Sequence, residues 1–335
     1  EMICRALQVM PAQDRPDVIY AGNQAIADQV KDRLEKYASV HVAPNVRPQI
    51  DHEEVSKVAD FLSPVLNQIQ SHYVSGLDRM ASICNAPPET TASGAEKCIR
   101  LLSKVNDPQK GVLAFDIGSG SSTAIAGLAG STSVNVYPYG TGSGLEEFLN
   151  RVKVEKIWQW LPEPLSLEEL RDALYQKTLS PASIPMTPQA LQIELAAARQ
   201  MLREMVRDLR LRNVLTAGGY DPILVGGSTL TRAATPQQIL LTLLDGIQPF
   251  GMTTFILDKF SILGSLGVAG LVQPFIPIQV LESNAFASLA TVICPLSEAR
   301  PGTEILHAHL EVDSGRLFEA DVKKGSIAVL PLKPG

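Results

Sequence analysis

Apolar and polar positions sort most clearly in the middle of the chain. Residues 112–116, 122–128 and 133–137 are short apolar or alternating runs separated by turns rich in glycine and serine, which predicts a three-stranded meander. A helix is predicted over 145–160, stopped by Pro162 and Pro164, and residues 165–213 read as helical. Within them Ser166 followed by Glu169 is a capping box, and Pro188 opens a segment, 189–211, that carries an apolar stripe. The stripe, Leu191, Leu195, Ala198, Leu202, Met205 and Leu209, falls at alternating steps of four and three and reads as core packing.

The flanking regions follow other rhythms. Ahead of the meander, residues 17–23 predict a strand with a glycine turn, 24–38 an amphipathic helix and 40–43 a second strand, a β-α-β unit. Asp51 is placed to cap a helix over 52–71 that Pro64 interrupts, and a further helix over 93–105 leads to the meander. Beyond it come a buried strand at 222–225, a helix over 235–244 capped by Thr235, and a strand at 253–257. A glycine-dotted helix over 259–271 follows, capped by Asp258, with Gly264 and Gly267 on one face that permits close approach of a backbone or ligand, packing on a sheet being the favoured cause. From Ile276 the pattern becomes β-rich, and 303–312 with 316–322 form a hairpin about Asp313-Ser314-Gly315. His307 and His309 share a strand face there, and without a third ligand in view they read as an exposed histidine pair. The whole predicts an α/β fold in three parts: a partial first lobe (1–110), a second lobe (111–275) and a small β-rich C-terminal module (276–335).

Composition narrows the choices. The 335 residues, 45% of them hydrophobic, supply enough apolar material for more than one core. A net charge of −6 with no cluster of Lys or Arg argues against a nucleic-acid surface. The longest apolar run, 260–275, is broken by Gly264, Gly267, Gly270 and Pro274 and is short for a membrane span. Cys4, Cys84, Cys98 and Cys294 lack the spacing of a zinc or redox pair, so they read as scattered thiols of a reducing cytoplasm. The opening Glu1-Met2-Ile3-Cys4 has neither an initiator Met nor the layout of a secretion signal, which suggests a chain cut from something longer.

The candidate chemistry lies where strands meet glycines. Asp116-Ile117-Gly118-Ser119-Gly120-Ser121 ends an apolar strand on a carboxylate and turns through small residues, the layout of a phosphate-binding hairpin. Glycines at 118 and 120 allow backbone angles closed to other residues, so that successive N–H groups converge on one anion. Asp116 is placed to hold a hydrated Mg²⁺ beside that anion. A second strand runs into Gly226-Gly227-Ser228, and between the two lies Tyr139-Gly140-Thr141-Gly142-Ser143-Gly144, a small-residue strand-to-helix turn. Two strand-to-glycine elements suggest one nucleotide cleft.

In order and spacing these elements resemble the second lobe of the actin, hexokinase and heat-shock ATPase superfamily, a ribonuclease H-like lobe. The resemblance implies that Asp116, Gly118, Ser119, Gly120 and Ser121 grip the phosphates of ATP or ADP with Mg²⁺ while Gly226, Gly227 and Ser228 border the adenosine. It narrows further with Val18-Ile19-Tyr20-Ala21-Gly22-Asn23, Asn45-Val46-Arg47-Pro48, Leu257-Asp258-Lys259-Phe260, Leu263-Gly264-Ser265-Leu266-Gly267 and Gly325-Ser326-Ile327-Ala328-Val329-Leu330-Pro331-Leu332. Together these look like the MutL/GlmL family, encoded beside adenosylcobalamin-dependent glutamate mutase. Membership implies an ATPase-fold protein that reactivates or chaperones that mutase. The superfamily's first phosphate loop has no counterpart before Tyr20, so half of the phosphate clamp is missing and weak or no hydrolysis is expected. A non-catalytic interaction scaffold and a small-molecule kinase of the same fold stay open as alternatives. No lobe-one carboxylate facing a γ-phosphate is identifiable for the kinase.

Overall fold

The computed structural model describes residues 1–49, 74–84, 88–162, 165–215, 218–311, 317–330 and 332, together with positions 58, 61, 62, 65, 66 and 69. The chain divides into two compact units, residues 1–89 and 90–335.

The first unit contains α1 (Met2–Val9), β1 (Val18–Tyr20), α2 (Ala27–Leu34), β2 (Val40–Val42) and α3 (Leu77–Cys84). β1 and β2 pair in parallel with Val18 opposite Val40, an arrangement that needs a crossover, and α2 supplies it. Asn23 starts the crossover by accepting the Ala25 amide on its side chain. Leu7, Ala27, Leu34 and Ala43 are buried. Of the helix expected over 52–71, positions 58, 61, 62, 65, 66 and 69 are described and helical. Asp51 and Pro64, its expected cap and break, lie outside the described residues.

The second unit is built on one six-stranded sheet. Its strands are β3 (Gly111–Ile117), β4 (Ser122–Leu128), β5 (Ser131–Tyr137), β6 (Tyr220–Gly226), β7 (Gly251–Asp258) and β8 (Phe286–Cys294), in the order β5-β4-β3-β6-β7-β8. β3, β6 and β7 run parallel; β4 is antiparallel to both of its neighbours. The first five strands therefore have the order and directions of a ribonuclease H-like lobe. β8 pairs antiparallel to β7 from Gly251–Cys294 to Asp258–Phe286, so the first strand of the stretch expected to be β-rich from 276 onward joins the sheet of the second unit. The stretch 286–294 alternates strongly enough to complete a sheet edge, and the helix α12 (Phe275–Leu281) precedes it where strand was expected.

β3 is buried on both faces, as a central parallel strand must be. Val112 and Ala114 face α4 (Thr91–Val105) and α11 (Leu263–Val272), in a core with Cys98, Ile99, Ile125, Leu224 and Leu266. Leu113, Phe115 and Ile117 face the other way, into a larger core with α8 (Pro188–Leu211) and α10 (Pro236–Ile247). α4 thus belongs to the second unit, although its position in the sequence suggested the first lobe. Its apolar stripe, Ala95, Cys98 and Ile99, is buried on this sheet.

Local chemistry sets the remaining boundaries. The helix expected over 145–160 is two helices, α5 (Leu145–Arg151) and α6 (Val154–Trp158), because the β-branched Val152 turns extended, with φ −126° and ψ 127°, to bury its side chain. α7 (Leu167–Leu179) starts on the expected Ser166–Glu169 capping box. Asp258 does cap the glycine-dotted helix, but from a distance. Its carboxylate accepts the amides of Ile262 (3.0 Å) and Leu263 (2.9 Å), so α11 begins at Leu263. Between α10 and the second glycine turn lies the single turn α9 (Ser228–Thr231). The expected hairpin is present as β9 (Glu304–Glu311) paired antiparallel with β10 (Leu317–Lys323); its turn, 312–316, lies outside the described residues.

The glycines of α11 pack on a helix rather than on a sheet. A Cβ added to Gly94 of α4 would collide with the Gly264 carbonyl, and one added to Gly267 would collide with the Gly94 carbonyl. The two backbones touch, and no side chain larger than hydrogen fits between them. Gly267→Ala should therefore lower stability by about 1–3 kcal/mol, the usual cost of overpacking. Urea unfolding measures this, and an unchanged midpoint would mean that the helices can separate freely.

Candidate functional site

Because β3 and β6 are parallel neighbours with Asp116 opposite Gly226, the turns that follow them leave the sheet at the same end and side by side. The structure therefore brings the residues singled out at 116–121 together with those at 226–228. The loop 139–145 is the third component. The Thr141 amide donates to the Gly118 carbonyl (3.0 Å), and the amides of Gly142 and Gly144 both donate to the Ser119 carbonyl (2.9 Å each). The Ser122 hydroxyl donates to the Tyr139 carbonyl (2.8 Å), and the hydroxyls of Thr141 and Thr229 share a hydrogen bond of 2.8 Å. Thr229, buried directly after Ser228, ties the second glycine turn to the loop.

The consequence is an asymmetric turn. The Gly118 and Ser119 carbonyls are tied back to the 139–145 loop, and the Gly118 amide donates to the Ser121 carbonyl (3.1 Å). Among the described residues the amides of Ser119, Gly120 and Ser121 have no hydrogen-bond partner. Three successive unpaired N–H groups at an exposed turn are donors awaiting an acceptor.

The glycines are needed for a reason other than the one the sequence suggested. Neither Gly118 nor Gly120 has a positive φ. A Cβ on Gly118 would stand 2.5 Å from the Ser121 carbonyl oxygen, and one on Gly120 3.1 Å from the Ser143 hydroxyl. Close approach to backbone, not backbone angle, requires the glycine at 118, while at 120 the contact is only a tight one with a movable hydroxyl. The angle argument holds at Gly227, whose φ is +108° and whose Cβ would collide with the Ile117 carbonyl.

Asp116 continues the face of Val112 and Ala114 and emerges at the end of β3. Its carboxylate is exposed to solvent and has no hydrogen-bond partner among the described residues. A Cβ on Gly226 would sit 3.0 Å from Asp116 Oδ1 and 3.9 Å from the Asp258 Cβ, so two carboxylate side chains flank this glycine. Protein packed around the base of the side chain, and then the negative charge of Asp258, push the Asp116 pKa above the ordinary carboxylate range. Solvent reaches the carboxylate from the open side and moderates the effect. Asp258 itself is 4% exposed and held by two amides. Its role beside Asp116 was missed in the sequence, where it read only as a helix cap. The available signal was its place at the end of the third parallel strand.

Next to the loop is a cavity of about 420 Å³, lined by Thr141, Leu145, Ile193 and Ala197 among others. Across it Lys177 and Glu194 form a largely buried ion pair of 2.6 Å. Among the described residues no helix is long and apolar enough to cross a membrane.

A family model described as MutL protein matches residues 1–285. Curated proteins provide no match. Solved structures similar to parts of the chain include acetate kinase from Entamoeba histolytica, at 15% identity and a TM-score of 0.28 over 54% of this chain and 56% of that one. The chain thus spans little more than half of the acetate kinase. An activator of the 2-hydroxyisocaproyl-CoA dehydratase from Clostridium difficile, with bound ADPNP, is similar at 15% identity and a TM-score of 0.30, over 57% of this chain and 69% of that one. MreB 5 of Spiroplasma citri bound to AMPPNP is similar at 11% identity and a TM-score of 0.32, over 77% of each chain.

The Asp116 carboxyl gives the site a stability signature. A raised pKa means that the folded chain holds this proton more tightly than the unfolded chain, so stability falls as pH rises above the ordinary Asp range. Asp116→Asn removes the ionisation. It should raise the melting temperature at neutral pH by about 1–3 °C, and the gain should fade toward about pH 3, where the Asp116 side chain is uncharged in the folded and the unfolded chain alike. Calorimetric scans across pH check this, and a variant less stable than the parent at neutral pH would show that Asp116 is favourably paired instead.

Proposed function

The chain belongs to the MutL protein family, and we propose that its second unit is the nucleotide-binding lobe of a reactivating or chaperone-type ATPase-fold protein. In this proposal the ligand is ATP or ADP with Mg²⁺. The unpaired amides of Ser119, Gly120 and Ser121, in the turn opened by Gly118, receive the phosphate oxygens. Asp116 holds the hydrated Mg²⁺, and Gly226, Gly227 and Ser228 border the ribose. The observation that carries this reading is the set of three partnerless amides beside a partnerless carboxylate at the ends of two parallel strands.

The residues present fit such a ligand. The glycines at 118, 120 and 227 leave no Cβ in the turn, and the cavity beside Thr141 has a volume in the range that holds a nucleobase. A bound Mg²⁺ would neutralise phosphate charge. The chain's own groups position and desolvate: the Ser119 carbonyl, fixed by two amides, keeps the turn from collapsing, and the Thr141–Thr229 bond holds the phosphate and ribose sides at a constant separation. With donors identified on one side only, the charge developing on a transferred phosphoryl group would be poorly stabilised, so turnover should be negligible. The partner in this proposal is an adenosylcobalamin-dependent mutase and the compartment the cytoplasm, which suits four cysteines that are all free thiols.

Calorimetry of the full chain with ATP and ADP in Mg²⁺ should show weak binding, and a phosphate-release assay should show no turnover above background. Asp116→Asn should cost about tenfold in affinity, near 1.4 kcal/mol, and remove the dependence on Mg²⁺. No heat from either nucleotide at millimolar concentration would sink the nucleotide reading and favour the interaction scaffold. Robust turnover would favour an enzyme such as the kinase.

A further inference from the structure

The β9–β10 hairpin collects metal-ligating side chains that the nucleotide reading does not use. Its antiparallel register places His307 opposite Asp321 and His309 opposite Glu319. His307 Nδ1 lies 2.5 Å from Asp321 Oδ1, and His309 Nδ1 lies 3.2 Å from Glu319 Oε1. All four side chains are exposed on one face of the ribbon. In an unbroken strand Glu304 would point to the other face, being an odd number of residues from His307. The register breaks between them. Leu306 faces Val322, but the next residue of β10, Lys323, faces Glu304, so β9 holds an extra residue, a bulge that re-aims the side chain before it. As a result Glu304, His307 and Asp321 each present a ligand atom, and the three atoms lie within 4.8 Å of one another.

We propose that Glu304, His307 and Asp321 form a binding site for a divalent transition-metal ion, represented by Zn²⁺. One imidazole nitrogen and two carboxylate oxygens are the mixed donor set that such an ion accepts, at roughly 2.0–2.2 Å. Ca²⁺ and Mg²⁺ prefer oxygen-only shells, and the imidazole disfavours them. The two carboxylates neutralise the ion's charge, and the exposed position leaves further coordination places to water. On binding, His307 and Asp321 bond to the metal in place of each other. His309 and Glu319, one pair along the same face, have no third ligand grouped with them among the described residues and serve as an internal control.

Titrating Zn²⁺ into the full chain by calorimetry counts the sites. His307→Ala and Asp321→Asn should each reduce the stoichiometry by one equivalent, Glu304→Gln should weaken that equivalent about tenfold, and His309→Ala should retain it. Exposed positions tolerate these changes, and unchanged far-ultraviolet circular dichroism verifies that the hairpin variants are folded. Full stoichiometry in His307→Ala, or loss of the same equivalent in His309→Ala, overturns the proposal.

Discussion

The parallel register of β3 and β6 is the constraint on which the second unit depends. Pairing Asp116 with Gly226 decides that two turns far apart in the sequence leave the sheet as neighbours. It also decides which residues those turns admit. Position 227 lies against the Ile117 carbonyl and has no room for a side chain, and at position 226 a Cβ would press on the Asp116 carboxylate, which would have to shift. The glycines are therefore a product of the sheet as much as of any ligand. What the ligand reading adds is the set of amides left over once the 139–145 loop has taken the Gly118 and Ser119 carbonyls.

A second contact of the same kind holds the opposite face of the sheet. α4 precedes β3 and α11 follows β7, yet they cross backbone to backbone at Gly94, Gly264 and Gly267. Asp258 couples this crossing to the site. Its carboxylate fixes the first turn of α11 and its charge acts on Asp116, so a change in the position of α11 would alter the electrostatics at the end of β3. One buried side chain serves both the packing and the site.

Much of this was legible because local chemistry and tertiary structure agree. The meander, the Ser166–Glu169 box, the Pro188 helix start and the β9–β10 hairpin each carry their signal within a few residues. The failures share a different cause. The break at Val152 follows from burying that side chain, the assignment of α4 to the second unit follows from Ile99 meeting Val112 and Ile125, and β8 becomes an edge only because β7 is there to pair with. At the site, the hairpin and the glycine pair were visible, whereas the Thr141–Thr229 link and the approach of Asp258 to Asp116 depend on strand order. The carboxylates around His307 escaped notice because one lies across the ribbon and the other reaches the face through a bulge.

Electrostatics at the end of β3 also bears on what kind of ligand the proposed site would take. Three unpaired amides attract an anion, but Asp116 stands beside them and Asp258 lies behind it, so a bare phosphate would meet two like charges. Burial first, and then the negative charge of Asp258, already raise the Asp116 pKa in the protein alone. A divalent cation between Asp116 and the anion turns both repulsions into attractions, and only a ligand that brings phosphate and metal together satisfies the amides and the carboxylate at once. On this reasoning free phosphate is a poor ligand and a metal-bound polyphosphate a good one. In the proposed site Asp116 would then select against anions arriving without their metal.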